Sequence, residues 1–164
     1  MDGREARGWG LGARDVMLRL FILLLSLGGL ADALYFTLAY YGRIRKARWV
    51  PEIFCAREDS SCVTVVRTPY ARVFGVPNSL LGIVYYVLLL VWTMFVPRHV
   101  SISGYVLRPF ENLGLLLLGA SLSSVVLGFY LIHALRRVLH THCPLCYAAH
   151  AINLILFVLL IFVS

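Results

Sequence analysis

Four cysteines are the residues of this sequence whose type and spacing are best suited to chemistry: Cys55, Cys62, Cys143 and Cys146. They form two tight pairs that lie far apart along the chain, and no cysteine is left over. An even count of this kind suits disulfide chemistry in an oxidising compartment. The pairs could form a redox relay or two structural disulfides. A Cys₄ zinc site is a third use, but these spacings fit it poorly.

The segment Cys143-Pro144-Leu145-Cys146 is a C-x-x-C motif that we expect at the start of a helix. Exposed N–H groups and the helix dipole stabilise a thiolate there, and a proline in the first turn costs no hydrogen bond. Cys55 and Cys62 lie instead in a polar stretch that we expect to be a flexible loop. A loop dithiol that reaches a helix-mounted dithiol can pass electrons by stepwise thiol–disulfide exchange.

The composition indicates that these cysteines belong to a membrane protein. The chain is 60% hydrophobic and 14% charged, with a mean hydropathy of +0.83, so a lipid bilayer is the expected solvent. The net charge is +7, and Lys46 is the only lysine. Most arginines flank apolar runs and no nucleic-acid motif accompanies them. We therefore interpret them as membrane-surface anchors and expect no nucleic-acid partner.

Hydropathy predicts an all-α protein, a four-helix membrane bundle that occupies residues 16–164 as one domain. Residues 1–15 are polar and rich in Gly and Arg, and we predict a disordered basic tail. A secretory signal peptide is an alternative for the first apolar run, but the run is too long and continues past its cleavage-like site. The predicted spans cover about residues 16–41, 78–96, 112–135 and 143–162, with a long cysteine-containing loop at 42–77 between the first two.

Four spans place both cysteine pairs on one side of the membrane. Nine basic residues lie on that side and six on the other, so the positive-inside rule would put the cysteines in the cytosol. Disulfide chemistry favours the oxidising exterior instead. We give more weight to the chemistry and predict an integral plasma-membrane protein whose active site faces the extracytoplasmic side.

These features resemble the vitamin K epoxide reductase family, and more closely its prokaryotic members. The resemblance covers residues 16–163 and includes both cysteine pairs. It also includes Thr68, six residues after Cys62, and the run Phe-Gly-Val-Pro-Asn-Ser-Leu-Leu-Gly at 74–82 that enters the second helix. Family members form a four-helix bundle around a quinone, capped by the loop cysteines.

The resemblance implies a membrane thiol oxidoreductase that reoxidises a thioredoxin-like partner and reduces a quinone, supporting disulfide bond formation. The quinone would be of the ubiquinone, menaquinone or vitamin K type, and no metal is expected. Because the chain ends at Ser164 without a thioredoxin-like domain, we expect that partner to be a separate protein. The alternatives are a vitamin K quinone or epoxide reductase and a non-catalytic membrane scaffold with structural disulfides.

The resemblance also assigns catalytic roles to the four cysteines. Cys146 is similar to the cysteine that faces the quinone. Cys143 is similar to its C-x-x-C mate, which exchanges with the second loop cysteine, here Cys62. Cys55 completes the loop pair and would help exchange with the partner protein.

Two polar residues are expected to bind the quinone. Asn78 resembles the asparagine that hydrogen-bonds a quinone oxygen, although its position alone fits a helix N-cap equally well. His150 lies one turn after Cys146 on the same helix face, where animal members carry a tyrosine. A histidine bonded to a neighbouring helix is the alternative for that position. Thr68 and Ser79 are assigned as supporting residues.

Two further groups of polar residues fall inside the predicted spans. Asp32 is an acidic residue in the outer part of the first span, where we favour a structural pairing over a catalytic role. Tyr85 and Tyr86 in the second span are expected to serve packing or anchoring.

Overall fold

A computed structural model of the chain describes residues 3–43, 61–73, 75–95 and 108–163. Four long helices carry the fold, and each contains an apolar segment long and hydrophobic enough to cross a membrane. The predicted all-α membrane bundle with four spans is therefore confirmed. The long helices are α1 (Gly3–Tyr40), α3 (Asn78–Phe95), α4 (Arg108–Arg137) and α5 (Pro144–Val163), and a short α2 (Ser61–Arg67) lies between the first two.

The helix α1 begins at Gly3, within the stretch 1–15 that we predicted to be a disordered tail. Its candidate span begins at Arg14, close to the predicted start at residue 16. The prediction of disorder rested in part on the glycines of this stretch, which weaken a helix. Good helix formers separate these glycines, and a helix that has already nucleated in the apolar span propagates at little cost per residue.

Around the bundle the helices follow the order α1, α3, α4, α5. The helix α1 packs closely against α3 and α5, and α4 packs against the same two helices. As a result α1 lies diagonally across from α4, and α3 lies diagonally across from α5. The half of the bundle farther from the cysteines is a solid apolar core that includes Ile22, Leu89, Leu117, Leu156 and Leu160, all at most 1% exposed.

A short cap covers the other end of the bundle. It consists of α2 and the 3₁₀ helix Pro69–Ala71, and α2 packs against α1 and α5. Two short antiparallel strands, β1 (Arg72–Val73) and β2 (Val76–Pro77), lead from the cap into α3. Gly75 has φ +83°, a left-handed conformation that glycine adopts without a steric penalty.

Candidate active site

The C-x-x-C motif forms the N-terminus of α5, as the sequence predicted. The carbonyl oxygen of Cys143 accepts a hydrogen bond from the N–H of Tyr147 at 3.2 Å, so Cys143 occupies the N-cap position. The backbone N–H of Cys146 also donates to Sγ of Cys143 at 3.2 Å. The two cysteines form a disulfide, with their Cα atoms 5.3 Å apart. The disulfide is thereby held at a helix N-terminus, where exposed N–H groups favour negative charge on sulfur.

The two sulfurs of this disulfide have different surroundings. Cys143 is 0% exposed and packs in an apolar cluster with Phe36, Val66 and Leu135, which come from α1, the cap and α4. Cys146 is only partly buried and lines a cavity inside the bundle. Phe36, Val66 and Leu135 also line this cavity, so the disulfide joins a fully buried sulfur to a cavity-lining one at the same end of the bundle.

The second loop cysteine lies in the cap, and the backbone gives its position on the cap helix. Cys62 belongs to α2, three and four residues before Val65 and Val66. Val66 is 6% exposed in the cluster around Cys143, and Val65 packs against that cluster. Positions separated by three and four residues share one face of a helix, so position 62 lies on the face of α2 that meets α5. Cys55 lies outside the described residues.

The cavity has a volume of about 330 Å³ and lies between the cap and the solid apolar core. This volume falls within the range of about 300–1,000 Å³ that is typical of small-molecule pockets. Val65, Val66, Tyr70 and Ala71 of the cap close it on the cysteine side. All four long helices contribute walls, and α4 presents mainly small and aliphatic side chains such as Ala120, Ser123, Ser124, Leu127 and Leu131.

Asn78 and His150 both line this cavity. Asn78 is the first residue of α3 and lies next to the cap, at the cap end of the cavity. His150 lies one turn beyond Cys146 on α5, and a Cβ atom added at Gly128 of α4 would be only 2.8 Å from its Nδ1. That nitrogen is buried and has no hydrogen-bond partner among the described residues. The bonded structural histidine that we considered as an alternative is therefore not observed at Nδ1.

The two supporting residues lie at different places. Ser79 lines the cavity, and its Oγ accepts a hydrogen bond from the Thr37 hydroxyl at 3.0 Å, which links α3 to α1. Thr68 donates its hydroxyl hydrogen to the Val65 carbonyl oxygen at 2.7 Å, at the end of α2. Thr68 is not among the cavity-lining residues, so its observed contact stabilises the cap.

A hydrogen bond across the bundle forms the floor of the cavity. The Tyr86 hydroxyl of α3 donates to Oδ1 of Asn153 on α5 at 2.6 Å, and both residues line the cavity. The Tyr86 ring lies directly against Gly29 of α1, and a Cβ atom at that position would collide with the ring. Glycine is thus required there for the ring to reach across the bundle. Tyr86, which we expected to serve packing, also shapes the cavity.

Two polar cavity residues were not assigned to the site from the sequence. Asn153 lies three residues after His150 and seven after Cys146, and this i, i+4, i+7 spacing could have revealed a polar face on α5. Asp32 was noticed but assigned to a structural pairing. It lines the cavity, and its Oδ1 is buried without a hydrogen-bond partner among the described residues.

Comparison with known proteins agrees with this architecture. A sequence model described as the vitamin K epoxide reductase family matches residues 20–161, nearly the whole chain. No curated protein matches the chain. Within the described residues, no group of three or more His, Cys, Asp or Glu side chains could hold a metal ion.

Proposed function

The chain belongs to the vitamin K epoxide reductase family and is an integral-membrane oxidoreductase, and from this premise we propose that it transfers electrons from a thioredoxin-like protein to a quinone. The observation that carries the proposal is the position of the Cys143–Cys146 disulfide. Cys143 lies beneath the cap that includes position 62, and Cys146 lines the internal cavity. One bond can thus accept electrons on one side and release them on the other.

Electron entry takes place through the cap. A thiolate of the partner attacks the Cys55–Cys62 disulfide and releases Cys62. The Cys62 thiolate then attacks Sγ of Cys143, which breaks the Cys143–Cys146 bond and leaves Cys146 as a thiolate. When the partner's second thiol has released Cys55, Cys55 attacks Cys62, so the loop disulfide forms again and Cys143 is freed as a thiol. The partner leaves oxidised, and the α5 pair holds two electrons.

Electron exit takes place in the cavity. Oxidation of the Cys143 and Cys146 dithiol to the disulfide supplies two electrons and two protons, which convert a quinone into a quinol. The residues present fit a quinone ring. The imidazole of His150 and the amide of Asn78 both belong to residues that line the cavity, and Asn78 is at its cap end. A quinone carbonyl oxygen is the kind of acceptor that these groups would bind.

The protein environment supports this direction of transfer. The N–H of Cys146 and the N-terminus of α5 stabilise negative charge on the Cys143 sulfur, so Cys143 is a good leaving group and a good thiolate. The apolar walls of the cavity exclude water and suit a lipid-soluble acceptor.

Quinone reduction by the purified protein tests the proposal. The protein is mixed anaerobically with a reduced thioredoxin-like protein and either ubiquinone or menaquinone, and quinol formation is followed by absorbance. We expect quinol from the wild type and none above background from Cys146→Ser. Val138→Ser is the matched control, because Val138 is 52% exposed in the turn region before α5 and does not line the cavity. It should retain wild-type turnover.

Three outcomes would count against the proposal. Absence of quinol with both quinones would contradict it. Reduction of vitamin K epoxide in place of quinones would favour the epoxide reductase of the same family. Equal thiol oxidation by wild type and Cys146→Ser would indicate a scaffold in which the disulfides are structural.

We further propose that the cysteine end of the bundle faces the extracytoplasmic side of the plasma membrane. The described cap and the N-terminus of α5 lie at the same end of the bundle, so both pairs should react together. A membrane-impermeant thiol reagent, applied to intact cells after reduction, should label both pairs. Labelling of only one pair, or labelling only after the cells are lysed, would contradict this orientation.

A further inference from the structure

The first span contains a carboxyl group that the electron relay does not use. Asp32 of α1 lines the cavity, and among the described residues that line it, Asp32 is the one acidic side chain and no lysine or arginine is present. Its Oδ1 is buried and has no hydrogen-bond partner within the described part of the chain. The structural pairing that the sequence favoured is therefore not observed at this oxygen.

Burial of a carboxyl group inside a membrane-spanning helix costs free energy. Transfer of a polar group from water into an apolar environment raises its free energy unless it is hydrogen-bonded, and acidic residues within membrane spans usually serve function. The local packing does not require a carboxylate, because Gly29 and Ala33 on the same helix pack against neighbours through small apolar surfaces. A ligand in the cavity would supply the partner that the protein does not.

The depth of Asp32 follows from its neighbours on adjacent helices. Phe36 packs in the cluster around Cys143, and Asp32 lies one turn of α1 deeper, about 6 Å at 1.5 Å per residue. Independently, a Cβ at Gly82 would lie 3.5 Å from the Cβ of Ala33, and Gly82 is four residues deeper than Asn78 on α3. Both comparisons place Asp32 about one turn below the cap end of the cavity and above its floor.

Asp32 and His150 line the cavity from the neighbouring helices α1 and α5. His150 packs beside Gly128 of α4, and α4 lies diagonally across from α1. A quinone has two carbonyl oxygens to protonate, and the cavity lining offers these two different side chains that can carry a proton.

We propose that Asp32 is a catalytic proton donor to one quinone oxygen, an assignment that rests on the proposed quinone reduction. Conversion of the dithiol to the disulfide releases two electrons and two protons, and reduction to quinol consumes the same number. As the electron pair arrives from Cys146, the carboxyl of Asp32 donates its proton to one oxygen. The other oxygen is protonated by way of His150, whose two ring nitrogens can accept and release a proton. The two protons released by the dithiol restore both side chains.

The other titratable groups around the cavity are less suited to this step. Those that line it are Tyr70 of the cap, Tyr85 and Tyr86 of α3, and Cys146 of α5. Among the described residues of α4, no titratable side chain lines the cavity. On α1 itself, Tyr35 is the titratable neighbour of Asp32 in sequence. Tyrosine hydroxyls are weak acids, with pKa values near 10 in model peptides. The Tyr86 hydroxyl already donates to Asn153, and Cys146 supplies electrons.

The test separates the quinone step from the thiol steps. Fully reduced protein is mixed anaerobically with menaquinone, and oxidation of the α5 dithiol is followed in a single turnover. Asp32→Asn should slow this step at least about tenfold, a change of about 1.4 kcal/mol in the barrier. Asp32→Glu should restore part of the rate. Asp15→Asn makes the same chemical change on α1 outside the cavity and should match the wild type.

Two further measurements do not depend on turnover. Disulfide exchange between the reduced partner and the Asp32→Asn protein, measured without quinone, should proceed at the wild-type rate, which also shows that the variant is folded. Infrared difference spectra, recorded as quinone is added to the oxidised protein, should show a shifted carboxyl C=O band in the wild type that is absent from Asp32→Asn.

The outcomes distinguish failure of the two proposals. A wild type that exchanges disulfides but never reduces quinone overturns the proposed function. A wild type that reduces quinone, together with an Asp32→Asn variant of equal single-turnover rate or an unchanged infrared band, overturns the role of Asp32 alone. Loss of partner exchange in Asp32→Asn would assign Asp32 to folding and would likewise overturn the proton-donor role.

Discussion

The packing around Cys143 and the cavity beside Cys146 share one disulfide and several side chains, but they differ in how much space they leave at the sulfur. The first is filled by apolar side chains from α1, α4, α5 and the cap, and the sulfur of Cys143 has no exposure. The second holds about 330 Å³ of space and buried polar atoms of Asp32 and His150 without partners in the described chain. The packing around Cys143 leaves its sulfur no exposed surface, whereas the cavity has the volume and the buried polar atoms of a ligand site.

One disulfide can therefore serve two reactants. Tight packing of apolar side chains leaves no space for a ligand at Cys143. A compartment that must bind and protonate an acceptor keeps polar groups that the ligand will satisfy. Cys143 and Cys146 differ by only three positions, but the start of α5 directs them into these two environments.

The largest expected effect separates the two sulfurs. Cys143→Ser and Cys146→Ser should both abolish quinone-linked turnover, but they should accumulate different disulfides. Cys146→Ser leaves Cys143 able to attack the loop pair, so a Cys62–Cys143 link should accumulate. Cys143→Ser should retain Cys55–Cys62. Peptide mapping by mass spectrometry under non-reducing conditions measures this. A Cys62–Cys146 link of equal abundance in Cys143→Ser would contradict the assigned asymmetry.

A substitution on α1 should disrupt the floor of the cavity, which the Tyr86–Asn153 hydrogen bond forms. Gly29→Ala places a methyl group against the Tyr86 ring, which must move and lose its contact with Asn153. Overpacking of this kind costs about 1–3 kcal/mol of folding stability. Unfolding in detergent measures the change. Gly28→Ala is the matched control, because the nearest atom to its added methyl group is 3.9 Å away in the side chain of Ile152. Equal stability of the two variants would show that the Tyr86 ring does not require glycine at position 29.

The seal over Cys143 can be opened from the cap. Val66→Glu introduces a charge into the apolar cluster, so the cap should lift and expose the α5 disulfide. Reduction of that disulfide by a water-soluble phosphine should become about tenfold faster, which corresponds to about 1.4 kcal/mol. Thr64→Glu introduces the same side chain on the exposed face of α2 and should have little effect. Equal reduction rates in the two variants would show that the cap does not protect Cys143.

The smallest effect concerns one hydrogen bond. Tyr86→Phe removes the donor to Oδ1 of Asn153 and leaves that oxygen inside the cavity without its partner. The expected loss of stability is about 1 kcal/mol, within the range for an unsatisfied buried acceptor. Tyr130→Phe removes an exposed hydroxyl from α4 and should be neutral within error. A Tyr86→Phe protein as stable as Tyr130→Phe would mean that the floor bond contributes little to stability.

Much of the architecture was predictable because lipid imposes simple rules on sequence. Apolar runs of about 20 residues span a bilayer only as helices or closed barrels, so four runs gave four helices. The observed α3 begins at Asn78 as expected, and α5 begins one residue after Cys143. The ordered cap was harder to predict. Its helix α2 has seven residues, and such a short helix depends on packing against α1 and α5 for its stability.

The membrane class, the four spans and the place of the C-x-x-C motif at a helix start follow from composition, local spacing and helix ends, so they could be predicted from the chain alone. The packed bundle was needed to show which sulfur is fully buried and which lines the cavity, that Tyr86 meets Asn153, and that Oδ1 of Asp32 has no partner among the described residues. These features arise between helices that are distant in sequence. Periodicity indicates which face of a helix is apolar, but the packing of the other helices determines what each polar side chain meets.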